Sequence, residues 1–373
     1  MTSLNIKSHV KLYIFFFQIG TLSSPQRLLR VFSTICLIFY TFFYLTSSVT
    51  GVRDLILSKG IHKIEILYEI LHGLSVGLKL LLLRPHLKQL KALLHEFDEL
   101  NLKNHDIILS YVQLFNKLFK GLASLWVFAG ILAIISPFFV GKLPFESQQI
   151  PFLGLTEEKN WKFALTMLQQ DGFLLYGITS TIIMDGYPAL ILALISGYLE
   201  EIANEVRKIK NLKGNDAKVR LCSCYDMYQK AVELQKKFSQ LYSIALSIQA
   251  AVGTISICAI MVKLSLDSPL VNFGYYLRNV FLMLNILLEI AFVNFMGSKL
   301  IQTNLSLSNA LYDTNWLEKD SNFRKLLIMF QQRAQKVLQI RIGFIFVLDL
   351  NLVGQICNLA YKLYAVLMKV NNI

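Results

Sequence analysis

Apolar residues in this chain gather into long runs, and the polar residues between them gather into charged connections. Seven runs are long enough to cross a hydrocarbon layer of roughly 30 Å as helices of about 20 residues. They cover about residues 28–48, 61–83, 118–140, 173–198, 240–263, 273–297 and 342–368. A short apolar patch at residues 12–17 predicts an interfacial helix before the first span. Residues 84–117 place Leu87, Leu90, Leu94 and Phe97 at helical spacing and predict an extension of the second span. Residues 141–172, with Pro144 and Pro151, predict a loop. Residues 199–239 predict a helix continuing the fourth span, a break at Lys213-Gly214-Asn215, and a helix leading into the fifth. Inside the fourth span, Asp185-Gly186-Tyr187-Pro188 predicts a kink, because proline removes a helix hydrogen bond.

Two patterns close the chain. From Ser321 to about Arg341 the apolar residues Phe323, Leu327, Phe330, Ala334, Val337 and Leu338 define one helix face, with arginine, lysine and glutamine on the other. The last span, Ile342–Met368, is apolar except for Asn351, Gln355, Asn358 and Lys362. Their intervals of 4, 3 and 4 put them on one stripe of a helix. Hydrocarbon offers polar side chains no hydrogen-bond partners, so the stripe faces either other helices or a water-filled path. Asp185 and Glu289 are further ionisable residues at membrane depth, and candidates for function on that ground.

Composition agrees with a polytopic membrane protein. Hydrophobic residues make up 54% of the chain and charged residues 16%, against about 25% charged in soluble domains. The net charge of +13 would suggest nucleic acid in a soluble protein. Here the lysines and arginines divide by loop. Segments 1–30, 84–117, 198–239 and 298–341 hold 25, while 51–62, 141–172, 264–272 and 369–373 hold 6. The positive-inside rule then places the N-terminus in the cytosol and the C-terminus outside. The sequon Asn304-Leu305-Ser306 falls on the cytosolic side and is expected to stay unglycosylated. Cys222 and Cys224 fall in a basic cytosolic connection, so no disulfide is expected there. Their spacing lacks the further ligands of a zinc site. No phosphate-binding glycine loop, dinucleotide fingerprint or HExxH motif is present, and neither an enzyme activity nor a cofactor is expected.

The closing residues also carry a resemblance. Tyr312 and Trp316 precede the amphipathic segment Phe330-Gln331-Gln332-Arg333-Ala334-Gln335, and the last helix ends Ala360-Tyr361-Lys362-Leu363-Tyr364-Ala365-Val366-Leu367. This resembles the C-terminal signature of insect odorant receptors. The resemblance implies an all-α, seven-transmembrane-helix fold of inverted topology, with the N-terminus cytosolic. It implies three parts: residues 1–297 with six spans and the odorant-binding bundle, 298–341 as a cytosolic anchor, and 342–373 as a pore-lining seventh helix. It also implies a ligand-gated cation channel in the plasma membrane of olfactory sensory neurons, assembled as a tetramer with odorant co-receptor subunits. The connection between the fourth and fifth spans is short by co-receptor standards, so the chain resembles the variable tuning subunit. A metabotropic seven-span chemoreceptor or a gustatory receptor channel is the alternative. The Gln-Phe expected of gustatory receptors does not follow Ala360-Tyr361.

Carried onto this chain, the resemblance puts the pore constriction near Leu363, Leu367, Val370 and Asn371. The odorant would be small, volatile, and apolar or aromatic, held by the outer halves of the spans. Those offer Tyr68, His72, Phe138, Phe173, Tyr176, Ser180, Tyr275 and Tyr276.

Overall fold

The computed structural model describes residues 86–98, 100, 106–140, 161–266, 273–343 and 346–370, with isolated positions between 31 and 82. The interfacial patch at 12–17 lies outside the described residues. In the first span Val31, Ile35, Ile38 and Phe42 are helical and exposed at helical spacing, the pattern of a lipid-facing stripe.

Helix α1 runs Leu87–Asp98 and buries Leu90, Leu93 and Phe97. Helix α2, Asp106–Val140, buries Ile108, Val112, Phe115, Phe119, Leu122 and Trp126 at alternating steps of three and four. That face runs unbroken from the polar segment into the apolar one. Residues 106–117 therefore begin the third span's helix, where the periodicity alone predicts an extension of the second. Helix α3, Trp161–Lys208, passes through Pro188 and ends in a 3-10 turn at Ile209–Asn211. Its start at Trp161 replaces part of the expected 141–172 loop with helix.

Helix α4 begins at Gly214, whose φ is +57°, and continues to Leu266 for 53 residues. At 1.5 Å per residue it is about 80 Å long, more than twice the thickness of a bilayer core. It buries Ala217, Leu221, Cys224, Tyr228, Ala231 and Leu234 at steps of three and four in the part that precedes the fifth span. The break expected at Lys213-Gly214-Asn215 is therefore where the turn falls. Helix α5, Phe273–Tyr312, extends well past the sixth span.

A 3-10 turn at Trp316–Glu318 leads to α6, Ser321–Ala334, which buries Phe323, Leu327, Phe330 and Ala334. The helix was expected to reach Arg341, but it stops at Ala334 because neighbouring side chains take its terminal carbonyls. Asn304 Nδ2 donates to the Ala334 carbonyl at 2.9 Å, and the Tyr228 hydroxyl donates to that of Arg333 at 3.3 Å. The chain then runs extended along α4, held by Gln235 Nε2 on the Gln339 carbonyl and Ser243 Oγ on the Arg341 carbonyl. A two-residue antiparallel hairpin follows, Arg341–Ile342 (β1) with Phe346–Val347 (β2), turning at Gly343 with φ +58°.

Helix α7 is Leu350–Val370, beginning eight residues after the expected Ile342. Asp349 sets that start, since its Oδ1 accepts the Leu352 amide at 3.1 Å in the manner of an N-cap. Among the described residues, α2, α4 and α5 contain stretches long and apolar enough to cross a membrane.

Candidate functional site

Helix α7 packs on α4 and α5 through one narrow face. Leu352, Ile356 and Ala360 are buried, with Tyr364 and Leu367 half-buried against the same core. Asn358 and Lys362 each follow a buried residue by two positions, about 200° round the helix. Asn351, Gln355, Asn358 and Lys362 are all exposed, so the stripe turns away from the rest of its own chain. Beside it runs an apolar row, Leu359, Leu363, Val366 and Val370, also exposed. Of the four residues assigned to the constriction, Leu363 and Val370 are thus on exposed surface. Leu367 leans on the chain's own core, and Asn371 lies outside the described residues.

The residues expected to hold a ligand are distributed over three helices that pack on one another, α2, α3 and α5. Phe138 is in the last turn of α2, Phe173, Tyr176 and Ser180 are in α3, and Tyr275 and Tyr276 open α5. Tyr276 is half-buried. The Phe128 and Phe281 rings meet edge to face at 6.4 Å and tie α2 to α5. Tyr68 and His72 lie outside the described residues.

Glu289 is joined to α4 by Gln249, whose Nε2 donates to Glu289 Oε1 at 2.8 Å. Asp185 is buried, and two positions on Tyr187 stacks on Tyr242 at 6.1 Å and donates its hydroxyl to the Leu90 carbonyl of α1. Outside the membrane segments, Lys237 lies 2.8 Å and Lys230 2.9 Å from the carboxylate of Glu96, bridging α4 to α1. Partial burial pushes the Glu96 carboxyl up, but the hydrogen bonds from Lys237 and Lys230 outweigh it and hold the group below its ordinary value. Sequence reasoning missed this pairing, because Glu96 and its partners are 134 and 141 residues apart.

The 7tm odorant receptor family model matches residues 66–361 of the chain. The chain belongs to the insect odorant receptor family. Odorant receptor 67a of Drosophila melanogaster is 22% identical to the receptor over 268 residues, covering 67% of this chain and 64% of that protein. Odorant receptor 94a of the same species is 27% identical over 237 residues, covering 62% and 59%. The matched region therefore spans under two thirds of either relative. The receptor's fold is similar to that of the olfactory receptor OR5 from Machilis hrabei in complex with eugenol. The TM-score is 0.83 at 14% identity, over 98% of this chain and 100% of that one. A second structure of the olfactory receptor OR5 from Machilis hrabei gives a TM-score of 0.80 at 15% identity, over 97% of this chain and 100% of that one.

Asn304 of the sequon is wholly buried under the C-terminus of α6. The neighbouring Ser306 hydroxyl accepts a hydrogen bond from Arg207 at 2.7 Å.

Proposed function

We propose that the receptor is the odorant-binding subunit of a heteromeric, ligand-gated, non-selective cation channel acting in olfactory signal transduction. It works in the plasma membrane of olfactory sensory neurons, with its N-terminus cytosolic and its C-terminus extracellular. The distribution of basic residues among the connections supports that orientation.

The observation that carries the reading is α7, whose polar stripe turns away from its own chain. A lysine in the bilayer centre costs about 3 kcal/mol against lipid, and the amides of the same stripe add to that. Neighbouring subunits and a wet conduit relieve the cost. Four copies of this chain would place four Lys362 side chains around one cation path, so the assembly is mixed, a tetramer with odorant co-receptor subunits. Leu363, Leu367, Val370 and Asn371 are assigned to the narrow outer end, where an apolar ring gates by excluding water.

The ligand is a small volatile molecule, apolar or aromatic, as eugenol is. Tyr68, His72, Phe138, Phe173, Tyr176, Ser180, Tyr275 and Tyr276 are assigned to its enclosure, where affinity comes from burial plus a few polar anchors. Ligand binding shifts the population toward an open arrangement of α7.

The test is voltage clamp of cells expressing the receptor with the co-receptor. An odorant-evoked current that is independent of GTP and stopped by a pore blocker is expected. A response that needs GTP and survives the blocker would sink the channel reading.

A further inference from the structure

The first turns of α3 are built inside out. Trp161, Leu165 and Leu168 recur at i, i+4 and i+7 and point outward, Trp161 67% and Leu168 69% exposed. The opposite face carries Thr166, Gln169 and Gln170, which are 0%, 3% and 1% exposed. Water would favour the reverse arrangement, because it solvates amides and expels indole and leucine surface. An apolar solvent favours what is seen.

The packing of α2 on α3 fixes where that solvent lies. A Cβ on Gly197 would come within 3.1 Å of the Ile108 Cα, and Gly130 sits against the Ile178 side chain. The two helices are therefore antiparallel, with residue 108 level with 197 and 130 level with 178. Carried on at equal rise, this register sets Val140, the end of the apolar α2, level with about Leu168. The exposed α2 residues Phe128, Ile131 and Ile135 continue the same apolar belt. In the other direction Lys120 falls level with about Pro188, next to Tyr187, which bonds the polar helix α1.

We infer that α3 crosses the bilayer with its segment from Leu165 to about Gly186 rather than with the apolar run 173–198. Leu165 and Leu168 contact the lipid acyl chains of one leaflet, the outer one in the orientation proposed above, and Trp161 contacts the top of the same leaflet. Those 22 residues rise about 33 Å, matching the hydrocarbon thickness. Trp161 sits about 10 Å from Leu168 along the axis, at the lipid–water interface that indole side chains prefer. Asp185 then stands at the cytosolic boundary rather than in mid-membrane. The all-round buried stretch from Ala189 to Leu199 is the core of the cytosolic bundle, not lipid-embedded helix. The inference depends on burial and helix register and holds whether or not the receptor is a channel.

Full-length receptor reconstituted in phosphatidylcholine vesicles tests it. With Trp126→Phe and Trp316→Phe, Trp161 is the remaining indole, the chain having three. Its emission is expected to be quenched by lipids carrying a nitroxide shallow in the acyl chain, and to resist acrylamide. Acrylamide quenching without nitroxide quenching places the segment in water and overturns the inference. Resistance to both quenchers places it under protein and overturns it equally. Because Trp126 is buried and its variant could misfold, a spin label on Leu168→Cys in a chain that keeps Trp126 and has Cys36, Cys222 and Cys357 replaced by serine gives a second readout, the exposed thiols of Cys222 and Cys357 otherwise taking the label themselves. Accessibility to oxygen well above that to a water-soluble nickel chelate is expected there, and the reverse ratio overturns the inference.

Discussion

Glu96 is an unpromising residue in the sequence, one of several carboxylates in a polar stretch. Folding places it between Lys230 and Lys237, with Glu233 joining both at 3.2 and 2.8 Å. Its lowered pKa means that the folded receptor binds this proton more weakly than the unfolded chain does. The contribution to stability is therefore complete above the ordinary value of 4.5 and is lost as pH falls through the lower folded value. The hydrogen bond to Glu96 raises Lys230, and the hydrogen bond to Glu233 raises Lys237. Their share is complete below 10.5 and is lost as pH rises through the raised values. Glu96→Gln is expected to lower the melting temperature of detergent-solubilised receptor at neutral pH and to leave it less sensitive to acid. An unchanged acid limb would contradict the assignment. Both ends of the network are partly exposed, so its net worth is modest. Gly297 is a second case. A Cβ there would collide with the Leu348 carbonyl oxygen, where α5 passes the strand before α7. Gly297→Ala is expected to cost about 1–3 kcal/mol, read as a lower melting temperature and less receptor at the cell surface. Neither site is visible to periodicity, because each depends on a partner that is remote in sequence.

At the scale of the element, α7 is the most legible helix and still the one whose boundary moved. The spacing of Asn351, Gln355, Asn358 and Lys362 gives the stripe directly. It does not say whether the stripe faces the chain's own helices. The buried row Leu352, Ile356 and Ala360 answers that. In a Cys357→Ser background, needed because the native Cys357 thiol is itself exposed, Gln355→Cys and Asn358→Cys are expected to react with charged, membrane-impermeant thiosulfonates in the assembled receptor. Ile356→Cys is expected to be protected. Equal protection at all three positions would mean that the stripe is sealed by neighbouring protein and lines no water. Leu363→Ala is expected to raise the leak current if the exposed apolar row forms the gate. Leu367→Ala combines any gating effect with lost packing against the core, so its leak must be read beside its surface expression. An unchanged leak in both variants would move the constriction elsewhere. The start of α7 was misplaced because Ile342, Phe344, Phe346 and Val347 continue the apolar run. Gly343, the β1–β2 hairpin and the cap at Asp349 interrupt the helix there.

For the whole molecule, the two long helices α3 and α4 run from the apolar bundle into the polar one and pack on each other. Tyr187, Tyr242 and Phe238 stack in succession where the two zones meet, at 6.1 and 5.1 Å. An epitope tag on the N-terminus is expected to be labelled in permeabilised cells and not in intact ones. Surface labelling of intact cells would reverse the topology and remove the conduit reading with it. The membrane character of the chain, the turn between α3 and α4, and the amphipathic face of α6 could all be read in advance. Each is a property of neighbours within one or two helical turns.

By itself the sequence determined that the chain is helical, embedded in a membrane, and biased toward one orientation. Hydropathy, 3.6-residue periodicity and loop charge are all local sums. Tertiary structure alone decided which apolar residues of α3 are exposed and which are wrapped in protein. Apolar residues serve lipid and protein core alike, so an apolar run such as 189–199 cannot say which of the two surrounds it. The partners of Glu96 and Glu289, the end of α6 and the outward turn of the α7 stripe were settled in the same way, by side chains that meet only after the chain has folded back on itself.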